Sequence, residues 1–333
     1  MKITILEFTP CADSIYHVRR DAEEGYIAGD ASAVTIKSGA KLRPRTVSTY
    51  AGGKATNVAR VMDKLLNEND EVEIELVVFR PDSPEGRYIH DLQTSALNRV
   101  RVRPVIIKGR ARTCVDLIDP TTDRASRVEF NISPRVVWEA GALETALDFA
   151  KALSTDLLLL AGNPPVIETT GEMAIDLYAR LIEDMRPRVR VISVDTEKGA
   201  LANCLTAEAR PDIIKINEQE YASVDSSLWR DFSGELVVTN ASGCRASDGH
   251  SSPIATFVRG AEVSDLYSTI GAGDSVHAGF TLARWVWGFD VMKSARYGQA
   301  AAAASVGSPD GTRGVTKQVV EEFFARLALA DNP

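Results

Sequence analysis

From residue 138 onward the chain alternates short apolar runs with amphipathic stretches, and this alternation restricts the fold more than any other feature. The spacing predicts a helix over 138–153, a strand over 157–161, a helix over 172–185 and strands over 189–195, 213–216 and 236–239. Alternation of this kind points to an α/β fold in which a mainly parallel sheet is covered by helices on both faces. Three more helices are expected over 272–286, 291–306 and 316–329, with Gly307-Ser308-Pro309-Asp310-Gly311 as the loop between the last two.

The first part of the chain is less regular. Ile3, Ile5, Leu6 and Phe8 suit an opening strand over 2–8, which ends at a Thr9-Pro10 turn. Residues 12–44 are polar, and Gly25, Gly29 and Gly39 punctuate short β-branched runs, so strands and hairpins standing apart from the main core are expected there. Val58, Val61, Met62, Leu65 and Leu66 fall at helical spacing, so Gly52-Gly53 would introduce a helix over 55–66. A strand over 73–79, a helix over 86–97 and short strands at 105–107 and 115–118 follow. No internal repeat is visible. A length of 333 residues allows one large core, or one core with a small appended unit.

Composition narrows the function. The net charge of -8 argues against nucleic acid or an acidic membrane surface as a partner, because both demand clustered Lys and Arg. No run of about 18 apolar residues occurs, and residues 1–9 lack a basic leader, so a cytoplasmic location is the expectation. Cys11, Cys114, Cys204 and Cys244 are widely spaced without a C-x-x-C pair and read as buried free thiols. His17, His90, His250 and His277 show no metal-ligand spacing.

Two segments carry chemistry. In Ser268-Thr269-Ile270-Gly271-Ala272-Gly273-Asp274-Ser275, two glycines flank an alanine just before a helical run. Such a backbone can aim its N–H groups at one point, and the helix N-terminus favours negative charge there, which suits a phosphate. A plain N-cap Asp after a glycine turn explains the same residues. The third glycine of a dinucleotide fingerprint is missing, and Gly52-Gly53-Lys54-Ala55 does not complete a Walker A loop. In Ala51-Gly52-Gly53-Lys54-Ala55-Thr56-Asn57 the glycines allow a ligand close, and Lys54 and Asn57 lie one turn apart; a glycine cap beside a surface lysine is the alternative.

Together these segments resemble the paired signatures of the PfkB (ribokinase-like) carbohydrate kinase family. Thr9-Pro10-Cys11-Ala12-Asp13 is similar to that family's N-P-x-x-D segment, and Lys215-Ile216-Asn217-Glu218-Gln219-Glu220 to its K-P-N-x-x-E. Ser268, Lys54 and Arg112-Thr113-Cys114-Val115 are closest to the branch that contains 1-phosphofructokinase and tagatose-6-phosphate kinase. The chain departs from that branch at Cys114, where Asn is usual, at Ala55, where Gly is usual, and at Gly162-Asn163-Pro164-Pro165, which replaces a G-S-L-P-P turn.

The resemblance implies a single three-layer α/β/α kinase domain over 1–333, with a small β-sheet lid from about 12–44 and 100–130 through which two copies could pair. It implies ATP as phosphoryl donor, Mg²⁺ as cofactor, and a sugar or sugar phosphate, here a hexose phosphate, as acceptor. Asp274 would be the general base, and the backbone of Gly271, Ala272 and Gly273 would hold the transferring oxygens. Asp13, Gly52, Gly53, Lys54, Asn57 and Arg112 would line the acceptor side, with Lys54 and Arg112 on its phosphate. Lys215, Asn217, Thr239, Gly243 and Gly311 would face the nucleotide. Glu220, with Asn217, would hold Mg²⁺ through water; a helix cap is the local alternative for this pair. A family kinase for an unphosphorylated sugar or nucleoside, and a catalytically silent sugar-phosphate sensor, are the rival readings.

Overall fold

A computed structural model describes residues 1–17, 27–28, 35–36, 46–119, 126–131, 135–249 and 256–330. Nine strands form the large sheet, in the order Thr256–Arg259, Gly243–Ser247, Glu235–Asn240, Ile213–Asn217, Val191–Asp195, Leu157–Ala161, Lys2–Glu7, Glu73–Pro81 and Val100–Ile107. The run from Glu235–Asn240 to Val100–Ile107 is parallel, and the two strands beyond it are antiparallel. Both faces are covered. Leu157 and Leu159 pack under the helices Lys54–Leu65, Ala272–Thr281, Val291–Val306 and Lys317–Ala330, while Leu158 and Leu160 face Ala142–Lys151 and Leu177–Met185. An unbroken apolar strand is what a sheet buried on both sides requires, since successive side chains point to opposite faces.

A second sheet has the order Ser126–Asn131, Arg112–Asp119, Cys11–His17 and Thr46–Gly52. Strand Lys2–Glu7 runs out of the large sheet and, after three residues, into Cys11–His17 of the small one. Thr46–Gly52 leads directly into the helix Lys54–Leu65. The small sheet is thereby tied to the C-terminal ends of the parallel strands, where open α/β sheets bind ligands. Ala12, Ala51 and Ala111 pack with Ile89 of the helix Pro84–Ala96 and so close the space between the two sheets.

Several boundaries differ from the sequence reading. The helix expected over 138–153 is Ala142–Lys151, because Val137–Trp138 pairs with Val166–Ile167 and Gly109–Arg110 before Gly141 turns the chain. The helix expected over 172–185 begins at Leu177, after Met173 has bridged to Val166. Helix Lys198–Thr206 and the strands Gly243–Ser247 and Thr256–Arg259 were not anticipated, since short, weakly patterned stretches give little periodic signal. The 272–286 helix is Ala272–Thr281 followed by a π turn, Leu282–Val286. Residues 100–107, expected in the lid, form the outer strand of the large sheet, because their backbone pairs in parallel register with Ile74 to Pro81. Most of the 12–44 stretch lies outside the described residues; within it Ile27–Ala28 pairs antiparallel with Thr35–Ile36. No helix among the described residues is long and apolar enough to cross a membrane.

Candidate active site

The turn ahead of helix Ala272–Thr281 is shaped by Gly271, whose φ of 72° lies in the left-handed region. A Cβ there would also collide with the Thr312 methyl group, so only glycine fits. The first bond within the helix runs from the Ser275 N–H to the Gly271 carbonyl, at 2.8 Å. The N–H groups of Gly273 and Asp274 therefore have no partner inside the helix. Ala272 N–H turns to the Thr269 carbonyl at 3.3 Å, which shifts the anion-binding point of the turn toward Gly273.

Asp274 is buried, and its Oδ2 accepts a hydrogen bond from Asn57 Nδ2 at 2.8 Å. Arg60, fully enclosed, donates through Nη1 to Asn57 Oδ1 at 2.7 Å and to Thr312 Oγ1 at 3.2 Å, and through Nη2 to the Ala51 carbonyl. This fork fixes which way the Asn57 amide faces, so that its nitrogen must donate to Asp274. Burial pushes the Asp274 pKa up to about 6; the Lys215 and Lys54 ammoniums draw it down, and Asp195 adds to the rise. A carboxylate poised there is ionised at neutral pH and still basic enough to take a proton.

Asp195 ends the strand Val191–Asp195 and is completely buried. Its Oδ1 accepts from Lys54 Nζ and its Oδ2 from Lys215 Nζ, each at 2.7 Å. Burial alone would raise its pKa, but the Lys215 and Lys54 ammoniums hold it well below the usual carboxylate range. Lys215 Nζ also reaches the glycine turn ahead of helix Ala272–Thr281: a Cβ on Gly273 would lie 2.7 Å from it. Behind Asp195, His277 Nδ1 lies 3.9 Å away and His277 Nε2 shares a 2.7 Å hydrogen bond with Ser193 Oγ. Burial lowers the His277 pKa to about 3, so the ring is neutral.

Lys54 is also bonded to Glu220 Oε1 at 3.0 Å. Its ammonium thus bridges two carboxylates at the edge of the cleft. Asn217 and Glu220 form the reciprocal cap that local sequence allows: Asn217 Oδ1 accepts from Glu220 N–H and Glu220 Oε2 accepts from Asn217 N–H, both at 2.8 Å. Each of these three oxygens thus already accepts one hydrogen bond within the protein.

A cleft of about 430 Å³ opens above these groups. Of the residues expected from sequence, Asp13, Gly53, Lys54, Asn57, Arg112, Gly271 and Asp274 line it, whereas Gly52, Ala272, Gly273, Lys215, Asn217 and Glu220 are not in its lining; Arg135, Asn163, Glu197 and Lys198 join the lining. The strand Thr46–Gly52 passes so close that a Cβ on Gly52 would overlap the Asp13 carboxylate. Burial raises the Asp13 pKa, against a hydrogen bond from the Cys11 thiol to its Oδ1 at 3.2 Å. Arg112 Nε donates to Cys114 Sγ at 3.0 Å. Beneath Gly53, Glu7 is buried and accepts from Thr56 N–H at 2.9 Å, Thr56 Oγ1 at 3.1 Å and Thr9 N–H at 3.1 Å.

Thr239, Gly243 and Gly311 are not in the lining of this cleft. Thr239 Oγ1 is tied to the Ile216 carbonyl at 3.2 Å, and Gly243 sits where the hairpin admits the Val258 carbonyl. Gly311 opens the turn Gly311–Gly314, which packs beside Ile270. Residues missed by the sequence reading, Glu7, Arg60, Ser193, Asp195 and His277, brace the site from below. Only Asp195 had a usable signal, an acidic residue closing a strand of the parallel sheet.

Residues 25–318 match the profile of pfkB family carbohydrate kinases. The chain belongs to that family. As a pfkB kinase it is an ATP-dependent sugar kinase. Phosphofructokinase-2 from Escherichia coli, solved with potassium, has the same fold at a TM-score of 0.76 and 18% identity, over 98% of this chain and 99% of that one. A possible 1-phosphofructokinase from Thermotoga maritima gives 0.73 and 15%, covering 98% of each chain. A nucleoside kinase from Methanocaldococcus jannaschii gives 0.62 and 18%, again over 98% of each.

Proposed function

We propose that this pfkB kinase phosphorylates a hydroxyl of a hexose phosphate, with Asp274 as general base. The observation that carries this is that Asp274 lines one cleft with Arg112, Arg135 and Lys198, the last paired with Glu197 at 3.7 Å. Three cations are more than a neutral sugar needs, and a guanidinium fork suits a phosphate dianion. The acceptor phosphate lies toward these cations and its hydroxyl toward Asp274, with Asp13 accepting from another hydroxyl. Asp274 takes the hydroxyl proton as that oxygen attacks the γ-phosphorus of ATP in line, and ADP leaves. N–H groups at Gly273 and Asp274, with Lys215, offset the charge on the transferring oxygens. Holding the reacting oxygens at fixed positions supplies much of the acceleration.

Magnesium fits this site as a hydrated ion. Asn217 and Glu220 are hard oxygen donors that already accept hydrogen bonds within the protein, so they would hold Mg²⁺ through its water shell, where it neutralises phosphate charge when bound. A second hollow mixes apolar Val263, Ala304, Val319 and Phe323 with polar Glu262, Ser264 and Arg326, a combination that could seat an adenine ring and its ring nitrogens. In this arrangement Thr239 and Gly243 shape the nucleotide side only through the hairpin.

One observation favours a phosphate-free acceptor: Lys54, the expected partner of a substrate phosphate, is engaged by Asp195 and Glu220. ATP consumption with fructose 6-phosphate, fructose 1-phosphate, tagatose 6-phosphate, ribose and adenosine separates the two. Turnover confined to ribose or adenosine would sink the hexose-phosphate reading. Turnover confined to the phosphates, with acceptor KM raised by Arg112→Met and ATP KM unchanged, supports it.

A further inference from the structure

Cys11 and Cys114 are 103 residues apart, and nothing in their spacing suggests a common site. Strand register brings them together. Cys11–His17 and Arg112–Asp119 are parallel neighbours, with Cys11 opposite Arg112 and Asp13 opposite Cys114. Residues two apart on a strand share a face, so all four side chains project from one side of the small sheet, and all four line the cleft.

The geometry points to a binding site for a soft divalent cation of the Zn²⁺ class, held by Cys11 Sγ, Asp13 carboxylate and Cys114 Sγ, with the fourth position open to the cleft. One ligand atom from each residue already lies within 4.8 Å of the other two. Tetrahedral zinc with sulfur at about 2.3 Å places two thiolates about 3.8 Å apart, so side-chain rotation of about an ångström closes the set. Two sulfurs select a soft ion over Mg²⁺. With both thiols deprotonated the ligands carry three negative charges, which the cation and the Arg112 guanidinium together neutralise. Arg112 Nε, already 3.0 Å from Cys114 Sγ, supplies the outer hydrogen bond that metal thiolates commonly receive. Binding expels the thiol protons to solvent.

A consequence rests on the proposed function. Asp13 cannot both coordinate the cation and accept from the acceptor hydroxyl, so metal and acceptor exclude each other. The departure of Cys114 from the asparagine usual in the phosphosugar branch then acquires a chemical purpose: a soft metal can turn the kinase off.

The test uses the full-length protein, freed of metal with a chelator and titrated with Cd²⁺ alone. A thiolate-to-cadmium absorption band should rise and saturate at one equivalent. Cys114→Asn and Cys11→Ala should each weaken binding by about tenfold or more and diminish the band, whereas Cys204→Ala, in the core, should leave it unchanged. No band, or a band equally strong in Cys114→Asn, overturns the site. Cys114→Asn restores the residue usual in related enzymes, and circular dichroism verifies its fold. With an acceptor that is turned over, Cd²⁺ should raise the acceptor KM at constant kcat; an unmoved KM overturns the antagonism. If no acceptor is turned over, the kinase reading fails while the absorption band still decides the metal site.

Discussion

Asp274, the proposed general base, owes its raised pKa to position: burial lifts it to about 6, and the Lys215 and Lys54 ammoniums keep it from rising further. Asp274→Asn should lower kcat by about 10²–10⁴-fold with an unchanged melting temperature, measured side by side. Because the base acts when ionised, log kcat/KM should fall with unit slope as the pH drops below about 6 and level off above it. A profile flat from pH 5 to 8 would remove Asp274 from the proton-transfer step. Asn57 belongs to the same unit, and Arg60 holds it. Arg60→Lys keeps the charge but cannot reach Asn57, Thr312 and the Ala51 carbonyl together. Its kcat should drop while ATP binding, followed by fluorescence or calorimetry, stays within about twofold, since a misaligned base affects the transition state more than the ground state. None of this was visible from the single residue. Arg60 in sequence is one more charged position on an amphipathic helix, and only the buried amide above it gives it a task.

At the scale of elements, the glycine turn and the helix Lys54–Leu65 meet through the side chains of Asn57 and Arg60, which lie three residues apart and so share one helix face. Gly271→Ala should cost about 1–2 kcal/mol from the left-handed backbone alone, with a further loss of kcat as Thr312 is displaced. Denaturant melts and turnover measured together separate the two effects. The strand ends Asp195 and Lys215 form the other half. Removing Lys215 leaves the buried Asp195 with Lys54 alone, so Lys215→Met should destabilise by up to about 3–5 kcal/mol in urea unfolding. Asp195→Asn, which uncouples both lysines, should also weaken phosphoryl transfer, and wild-type stability in either variant would mean that the pairing is not structural. The Asn217 and Glu220 pair shows how a local motif can gain a tertiary contact. The local pattern predicts a reciprocal helix cap and the cap is present, yet the same Glu220 anchors Lys54 beside the cleft.

For the whole molecule, the large sheet is the reference frame on which both halves of the site depend. Leu159 lies in an interior strand of the sheet and is fully buried beneath the helices that carry Asn57 and Asp274. Leu159→Ala should lower unfolding free energy by about 2–5 kcal/mol, read from the midpoint of a cooperative urea transition. An effect below about 1 kcal/mol would mean that this layer repacks freely, unlike a close-packed core. The alternation of apolar runs and helices determined this layered sheet by itself, because strand and helix periods follow from local geometry and each buried face needs a cover. The glycines of the turn and the family signatures were equally legible, since a backbone that must approach a ligand closely tolerates few residues. Partnerships across distant segments were decided only by the tertiary structure. Lys54 is engaged by Asp195 and Glu220, Arg60 orients Asn57, and Cys11 stands beside Cys114. Each depends on which strand lies next to which and in what register, and no local spacing encodes that.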